Sequence, residues 1–585
     1  MYTDDKNIQI VLALLKEYGI KKVVVSPGMK NVPVALSVQQ DSYFEVYSVV
    51  DERGAAYFAT GLAFESGEPV VITCTGATAS RNYLPGLTES FYRKLPIIAL
   101  TCGHQHAEPY TLTPQQPDRM VSQNDIKLLS VFLPIIHEET EYNQSVFLVN
   151  KALTTSLVNG GGPVHINVLT DDTHSFSTKE LPMLKKINYF GYDELQSDSF
   201  EGLTKKLKGK KIGVFIGSHK KFSDELTNAL ENFASAYNVA VFCDHTSCYQ
   251  GKNRIQIKQG MNIKDKADII VDIGGISGSY ADFALFSAEV WRISEDGAFI
   301  HRGRQGVLTH IFNCSECFFF SRFSENDIGK SDNSFFDTAY SQLGIINIPA
   351  LPLSNTFISQ KLSELLPKDS SLHLGILNSL RNMNLFNLNK GIDSSCNVGG
   401  FGIDGAVSTL IGQSMVNKNR LYFGLIGDLA FFYDMNGLGI RHIDKNIRLL
   451  VVNNNQGVEF RLNPNIEPFF KEAIDPFTAA RGHFGSAKGW VESMGFHYMT
   501  ASIKEEFLSL IGEFCNADIN YFDKPVLFEV FTKVEDEQDG LKLITEANLN
   551  TGTRMLKAAQ SIAQKVLPAE AYKSVKNKAK EIIRK

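Results

Sequence analysis

Long apolar runs are missing from this chain. None of its 585 residues lies in a stretch near the roughly 18 apolar residues that a membrane-spanning helix needs. Met1–Lys6 leads into an amphipathic helix, which excludes a signal-peptide core at that point. Cysteine is scarce: Cys74, Cys102, Cys243, Cys248, Cys314, Cys317, Cys396 and Cys515 are scattered and read as reduced thiols, which excludes a disulfide framework. Cys314 and Cys317 form a CxxC with no second pair, so packing before Phe318-Phe319-Phe320 is expected there in place of zinc. Positive charge is not in surplus either. With 58 Lys or Arg against 64 Asp or Glu and a net charge of −6, the chain lacks the basic face of a nucleic-acid binder. What remains is 43% hydrophobic and long enough for three or four domains with cores of their own, with the cytoplasm as the default location.

Short apolar segments alternate with helical stretches through most of the length. Strands are predicted at Val23–Ser26, Val70–Cys74, Ile97–Thr101 and Val164–Val168, then at Ile212–Ile216, Val239–Cys243, Ile269–Ile273 and Val290–Ile293. Two more lie at Leu421–Ile426 and Ile447–Val452. Near-continuous apolar strands separated by helices imply parallel sheets covered on both faces. The fold class is therefore α/β, with three doubly wound parallel-sheet domains over residues 1–182, 195–345 and 355–545 and a basic helical extension over 546–585. No short tandem repeat is present, but the first and third domains are expected to be structural cousins. Gly274–Gly278 comes after a strand but lacks GxGxxG spacing, which argues against a dinucleotide site.

The strongest local signal closes two of those strands. Gly427-Asp428 ends one and Asn453-Asn454-Asn455 ends the other. In an open α/β sheet, ligands bind beyond the carboxyl ends of strands, and Gly427 lets the chain turn sharply there. Asp428, Asn454 and a nearby backbone carbonyl offer hard oxygens to a magnesium-sized cation, which takes about six and leaves room for a diphosphate. The helix predicted after Asp428 aims its first amides at the same anion. The alternative reading is a helix-capping Asp beside an Asn-rich loop.

A second candidate is Glu52, at the junction of a short apolar strand and an Ala-rich helix. Burial would raise its pKa toward the range where a proton is exchanged near neutrality. A first-turn acid favoured by the helix dipole is the alternative.

Four blocks carry these features in order: 26–34, 49–63, 72–101 and 399–460. Ser26-Pro27-Gly28, Val50-Asp51-Glu52-Arg53, Cys74–Ala79 with Asn82-Tyr83, and Gly427-Asp428-Leu429 through Asn453-Asn454 together resemble the thiamine diphosphate enzymes. The likeness runs from about Asn7 to about Lys533 and is greatest to the menaquinone-pathway carboligases, the MenD family. It implies a pyrimidine-binding, a central and a diphosphate-binding domain, with thiamine diphosphate and Mg2+ as cofactors. Glu52 takes the position of the catalytic acid that hydrogen-bonds the aminopyrimidine. Ser26, Pro27, Gly28, Thr78, Asn82, Gly402, Ile403, Gly427, Asp428, Leu429 and Phe460 match cofactor-binding positions. Asp428, Asn454 and the carbonyl of Gln456 match the metal ligands. The implied reaction is decarboxylation of a 2-oxo acid with transfer of the acyl-anion unit to an acceptor. The implied assembly is a homodimer or dimer of dimers, because Glu52 and Asp428 serve one cofactor from different subunits.

The departures bear on substrate. Met29-Lys30 stands where the family has Ser-Arg, Cys102-Gly103-His104 where it has Ala-Asp-Arg, and Val398 and Met383 where it has arginines that hold substrate carboxylates. Only a guanidinium presents the planar fork, so a MenD-like paralogue with other substrates is expected. Gln456 replaces a glycine, and Glu459 puts an acid beside Phe460. Lys30, Arg81, His104, Gln116, Arg302, Arg304 and Arg381 are the candidate substrate contacts. The alternatives are the menaquinone carboligase itself and a catalytically silent scaffold subunit. From Thr553 to Lys585 nine Lys or Arg stand against two Glu, which suits a solvated helix or contact with an acidic partner or anionic membrane surface.

Overall fold

The computed structural model describes residues 1–548, except 93, 105–114, 116–122, 171–174, 193–194, 196–199, 259–264, 279–285, 301–306, 326–330, 345, 400, 464–465 and 483–484. At 64–65, 104, 286–288 and 468 it describes the backbone alone. Two compact units divide the chain: Met1–Glu201 with Glu289–Ser315, and Gly202–Ala288 with Glu316 onward.

The first sheet has six strands: β1 (Lys22–Val25), β2 (Glu45–Ser48), β3 (Val70–Thr75), β4 (Ile97–His104), β5 (Leu129–Leu133) and β6 (Val164–Thr170), in the order β2-β1-β3-β4-β6-β5. The next sheet has seven, with β7 (Asn188–Phe190), β8 (Lys211–Ile216), β9 (Asn238–Cys243), β10 (Arg254–Gln256), β11 (Ala267–Ile273), β12 (Phe286–Ile293) and β13 (Val307–Phe312) in the order β10-β9-β8-β11-β12-β13-β7. The last sheet holds β14 (Ser371–Leu374), β15 (Asp393–Cys396), β16 (Tyr422–Gly427), β17 (Ile447–Asn453), β18 (His497–Ala501) and β19 (Val526–Phe531), in the order β15-β14-β16-β17-β19-β18. Counted from its own first strand, the last sheet repeats the order of the first. The pairings within these two sheets are parallel.

Two-sided burial explains the apolar strands. In the first sheet Val23, Val71 and Ile98 enter one core, while Val24, Val70, Ile72 and Ala99 enter the other. In the last sheet Phe423, Leu425, Leu450 and Phe528 face one way, and Ile426, Leu449, Val451 and Leu527 the other. Successive side chains point to opposite faces, and each fully buried Leu, Ile, Val or Phe stabilises by about 1.5–3 kcal/mol. The pairing register is thereby fixed, since a one-residue slip would exchange the two faces.

In both of these sheets the chain order reverses at the second strand position. The switch point lies between β1 and β3 in the first and between β14 and β16 in the last, where a crevice opens at the carboxyl ends. The helix Glu52–Ser66 starts beside the first crevice. Asp51 caps it, accepting from the Arg53 and Gly54 amides at 3.2 Å each. Helix Leu84–Tyr92 packs on it so closely that a Cβ at Gly86 would lie 2.5 Å from the Ala56 Cβ and 2.9 Å from its carbonyl carbon. Thr60 and Ser90 hydroxyls bridge the same seam at 2.8 Å. Gly86→Ala must push the two helices apart. The expected loss is about 1–3 kcal/mol, read as a lowered thermal unfolding midpoint.

Candidate active site

At the first crevice, Ser26 is buried, and its hydroxyl donates to the Val49 carbonyl at 2.9 Å, tying the end of β1 to the segment before Glu52. The Asn31 side chain donates to the Ser26 carbonyl at 3.0 Å. Pro27 is exposed, and Gly28 lies against β3, where a Cβ would meet the Thr75 Cβ at 3.0 Å. Glu52 is half-buried, and its Oε2 accepts from the Asn82 amide at 3.4 Å. Thr78 and Asn82, from the short helix Thr78–Asn82 after β3, are exposed. Ser26 at the end of β1, Glu52 at the start of one helix and Asn82 at the end of another are thus brought to one edge. Tyr83 lies fully buried beneath it; burial pushes its phenol well above the usual range, and the thiol of Cys74 and the charge of Glu52 push the same way.

At the other crevice, β16 and β17 run in register with Gly427 opposite Val452. Asp428 and the loop Asn453–Gln456 therefore emerge side by side. Asp428 is 2% exposed, and its Oδ1 accepts from the Leu429 amide at 2.8 Å. The helix that it opens, Asp428–Tyr433, is a short one. Asn455 takes the left-handed conformation, φ 62°, with its amide on the Asn453 Oδ1 at 3.0 Å, which turns the loop sharply. Glu529 anchors the loop from β19: fully buried, it accepts from the Asn453 amide at 2.8 Å, the Ser486 hydroxyl at 2.7 Å, the Tyr498 hydroxyl at 2.8 Å and the Ala487 amide at 3.1 Å. Leu429 and Phe460 flank Gly457, where a Cβ would lie 3.2 Å from the Leu429 Cδ1 and 3.6 Å from the Phe460 Cδ2. Ile403 packs against the core below, and the Ser408 amide and hydroxyl from the next helix donate to Asp434 at 2.6 and 2.7 Å. Gly427, Leu429 and Phe460 thus lie just beyond the ends of β16 and β17, and Gly402 and Ile403 precede the helix Ala406–Ser414.

The donor set suits a cation with a diphosphate. Asn454 Oδ1 and both amide atoms of Gln456 are buried without a hydrogen-bond partner. An unpaired buried polar group costs about 1–3 kcal/mol, so these atoms are suited to a ligand that supplies the missing partners. Among the described residues no three His, Cys, Asp or Glu cluster.

The other predicted contacts divide. Lys30 is buried, and its carbonyl accepts from Thr170 at 3.2 Å; Arg81 is exposed; His104 lies on β4 opposite Thr170. Gln116, Arg302, Arg304 and the basic tail lie outside the described residues. Arg381 is already engaged by Glu459, and Met383 and Val398 are buried in the apolar core. All eight cysteines are free thiols. Glu529 escapes sequence reasoning, although a lone acid inside the apolar run Val526–Phe531 is the signal that marks it.

Residues 6–124 match the family model described as thiamine pyrophosphate enzyme, N-terminal TPP binding domain. The chain is 29% identical to a 2-succinyl-5-enolpyruvyl-6-hydroxy-3-cyclohexene-1-carboxylate synthase of Bacteroides fragilis, over 93% of this chain and 99% of the relative. It is 25% identical to the synthase of that name from Flavobacterium johnsoniae, covering 90% and 95%, and 26% identical to the one from Listeria monocytogenes, covering 79% and 84%.

Glu537 gives this site a pH signature. It is fully buried and accepts from the Asn355 amide at 3.0 Å and the Thr532 hydroxyl. Burial raises its pKa from 4.5 to about 7 against those hydrogen bonds, and the charge of Asp428 adds to the rise. The fold therefore favours the protonated form. Its stabilisation is complete below about pH 4.5 and is lost as pH rises through 7, a change of about 3 kcal/mol. Thermal midpoints measured from pH 5 to 8 are expected to fall more steeply in the parent than in Glu537→Gln.

Proposed function

We propose that this thiamine diphosphate enzyme, which resembles the MenD family over most of its length, decarboxylates a 2-oxo acid and transfers the acyl-anion unit to an acceptor. The observation that carries the reading is the group of buried polar atoms on Asn454 and Gln456 beside Asp428, at the carboxyl edge of a sheet. Asp428, Asn454 and the Gln456 carbonyl would hold Mg2+, and the metal would tie down the diphosphate. Gly402, Ile403, Leu429 and Phe460 would line the ring system, with Ser26, Pro27, Gly28, Thr78 and Asn82 around the pyrimidine. When bound, thiamine diphosphate supplies the nucleophilic carbon and the electron sink that loss of carbon dioxide requires. Glu52 would hold a proton at the pyrimidine ring nitrogen, oriented by Asn82. The protein's own contribution is orientation and a dry, charged setting.

In this reading the crevice of Glu52 and the crevice of Asp428 serve one cofactor across a homodimer or a dimer of dimers. The working domain boundaries are 1–182, 195–345, 355–545 and 546–585, and the setting is the cytoplasm; no described helix is long and apolar enough to cross a membrane. The menaquinone carboligase itself is the second reading. It is less well supported, because Met383 and Val398 are core residues and Arg381 is occupied. A silent scaffold has no use for unpaired polar atoms at Asn454 and Gln456.

Calorimetry should register thiamine diphosphate uptake in the presence of Mg2+, and a panel of 2-oxo acids headed by pyruvate and 2-oxoglutarate should release carbon dioxide. Glu52→Gln is expected to keep cofactor uptake while turnover drops about 100-fold or more. Undiminished turnover would reject the role given to Glu52, and absent uptake would reject the site.

A further inference from the structure

Arg381 and Glu459 meet fork to carboxylate, Nη1 to Oε2 at 2.6 Å and Nη2 to Oε1 at 2.9 Å. Their side chains are 8% and 24% exposed, so the pair is largely shielded from water. Arg381 lies on the helix Asn378–Met383 that comes after β14, and Glu459 opens the helix Glu459–Leu462 that comes after β17, just beyond Gln456. β14 and β17 flank β16, which ends at Asp428. The pair thus spans the carboxyl edge beside the proposed metal and diphosphate cluster. The next guanidinium, Arg461, faces Asp475 at 3.6 Å and Glu472 at 3.8 Å. Met383 and Val398, on the same two segments as Arg381 and Gly402, are apolar and buried.

We propose that Glu459 is a specificity-determining residue: its carboxylate occupies the fork of Arg381, so the enzyme takes a 2-oxo acid with an uncharged tail and excludes one with a second carboxylate. This rests on the site assigned under the proposed function. A guanidinium fork accepts one carboxylate in bidentate fashion. A substrate carboxylate arriving there must displace Glu459 or lie against its like charge, and both discriminate against the dicarboxylate.

The test uses the full chain loaded with thiamine diphosphate and Mg2+, with uptake first confirmed by calorimetry. Two unreactive acylphosphonate analogues of 2-oxo acids are then titrated, acetylphosphonate with a methyl tail and succinylphosphonate with a carboxyethyl tail. The parent is expected to bind the methyl-tailed analogue about tenfold more tightly or better. Glu459→Ala and the shape-preserving Glu459→Gln are each expected to gain about tenfold for the carboxyethyl-tailed analogue, with the other changed by less than about threefold. Adding Arg381→Met to Glu459→Ala should abolish that gain. Equal binding of the two analogues by the parent, binding of neither, no gain in both Glu459 variants, or a gain that survives in the double variant would each overturn the proposal. Failure of thiamine diphosphate uptake would instead sink the site reading beneath it.

Discussion

The parallel pairing of β16 with β17 is the constraint on which the candidate site depends. Six residue pairs in register, from Tyr422 against Ile447 to Gly427 against Val452, bring the two strands to their ends together. The loops beyond them must share one edge, and those loops carry a carboxylate and a run of amides. Nothing in either loop would position Asp428 beside Asn454 without that ladder. The ladder in turn stands because both faces of both strands are buried, and a slip would send each side chain into the core shaped for its neighbour.

The same strand order occurs twice, in the first and last sheets, and in each the loops that carry the candidate residues leave the strands around the switch point. In the first sheet these connections carry Ser26, Pro27 and Gly28 after β1 and Thr78 and Asn82 in the short helix after β3. In the last they carry Arg381 in the helix after β14 and Asp428 at the start of the helix after β16. One architecture thereby offers two differently decorated edges, one carrying Asp51, Glu52 and Arg81, the other rich in oxygen and amide groups.

Central strands were legible because two-sided burial writes itself as continuous apolar sequence: β1, β3, β4, β6, β8, β9, β11, β16 and β17 all fall where the apolar runs predict them. Edge strands were not. The short apolar strand read before Glu52 is β2, but it ends at Ser48, ahead of Val49-Val50, and β15 lies at a sheet edge with polar, partly exposed side chains, so Asp393–Cys396 carries no apolar signal. β14 is buried but only four residues long and contains His373, whose pKa burial drives down to about 4. The pairing of Gly427-Asp428 with Asn453-Asn454 was readable because glycine and amide residues are conspicuous after apolar runs. The bond between Arg381 and Glu459 was not, since it joins two segments far apart in sequence, and only the strand order makes them neighbours. The anchoring of Asn453 by Glu529 has the same origin.

That anchor has a physical character of its own. Among the described residues every donor to Glu529 is a neutral dipole, two hydroxyls, a side-chain amide and a backbone N–H, with no lysine or arginine among them. Mobile ions weaken attraction between exposed opposite charges but have little purchase on short, enclosed bonds of this kind. The anchor of the amide-bearing loop should accordingly be indifferent to ionic strength, so that a change in salt leaves the frame around Asn453 in place.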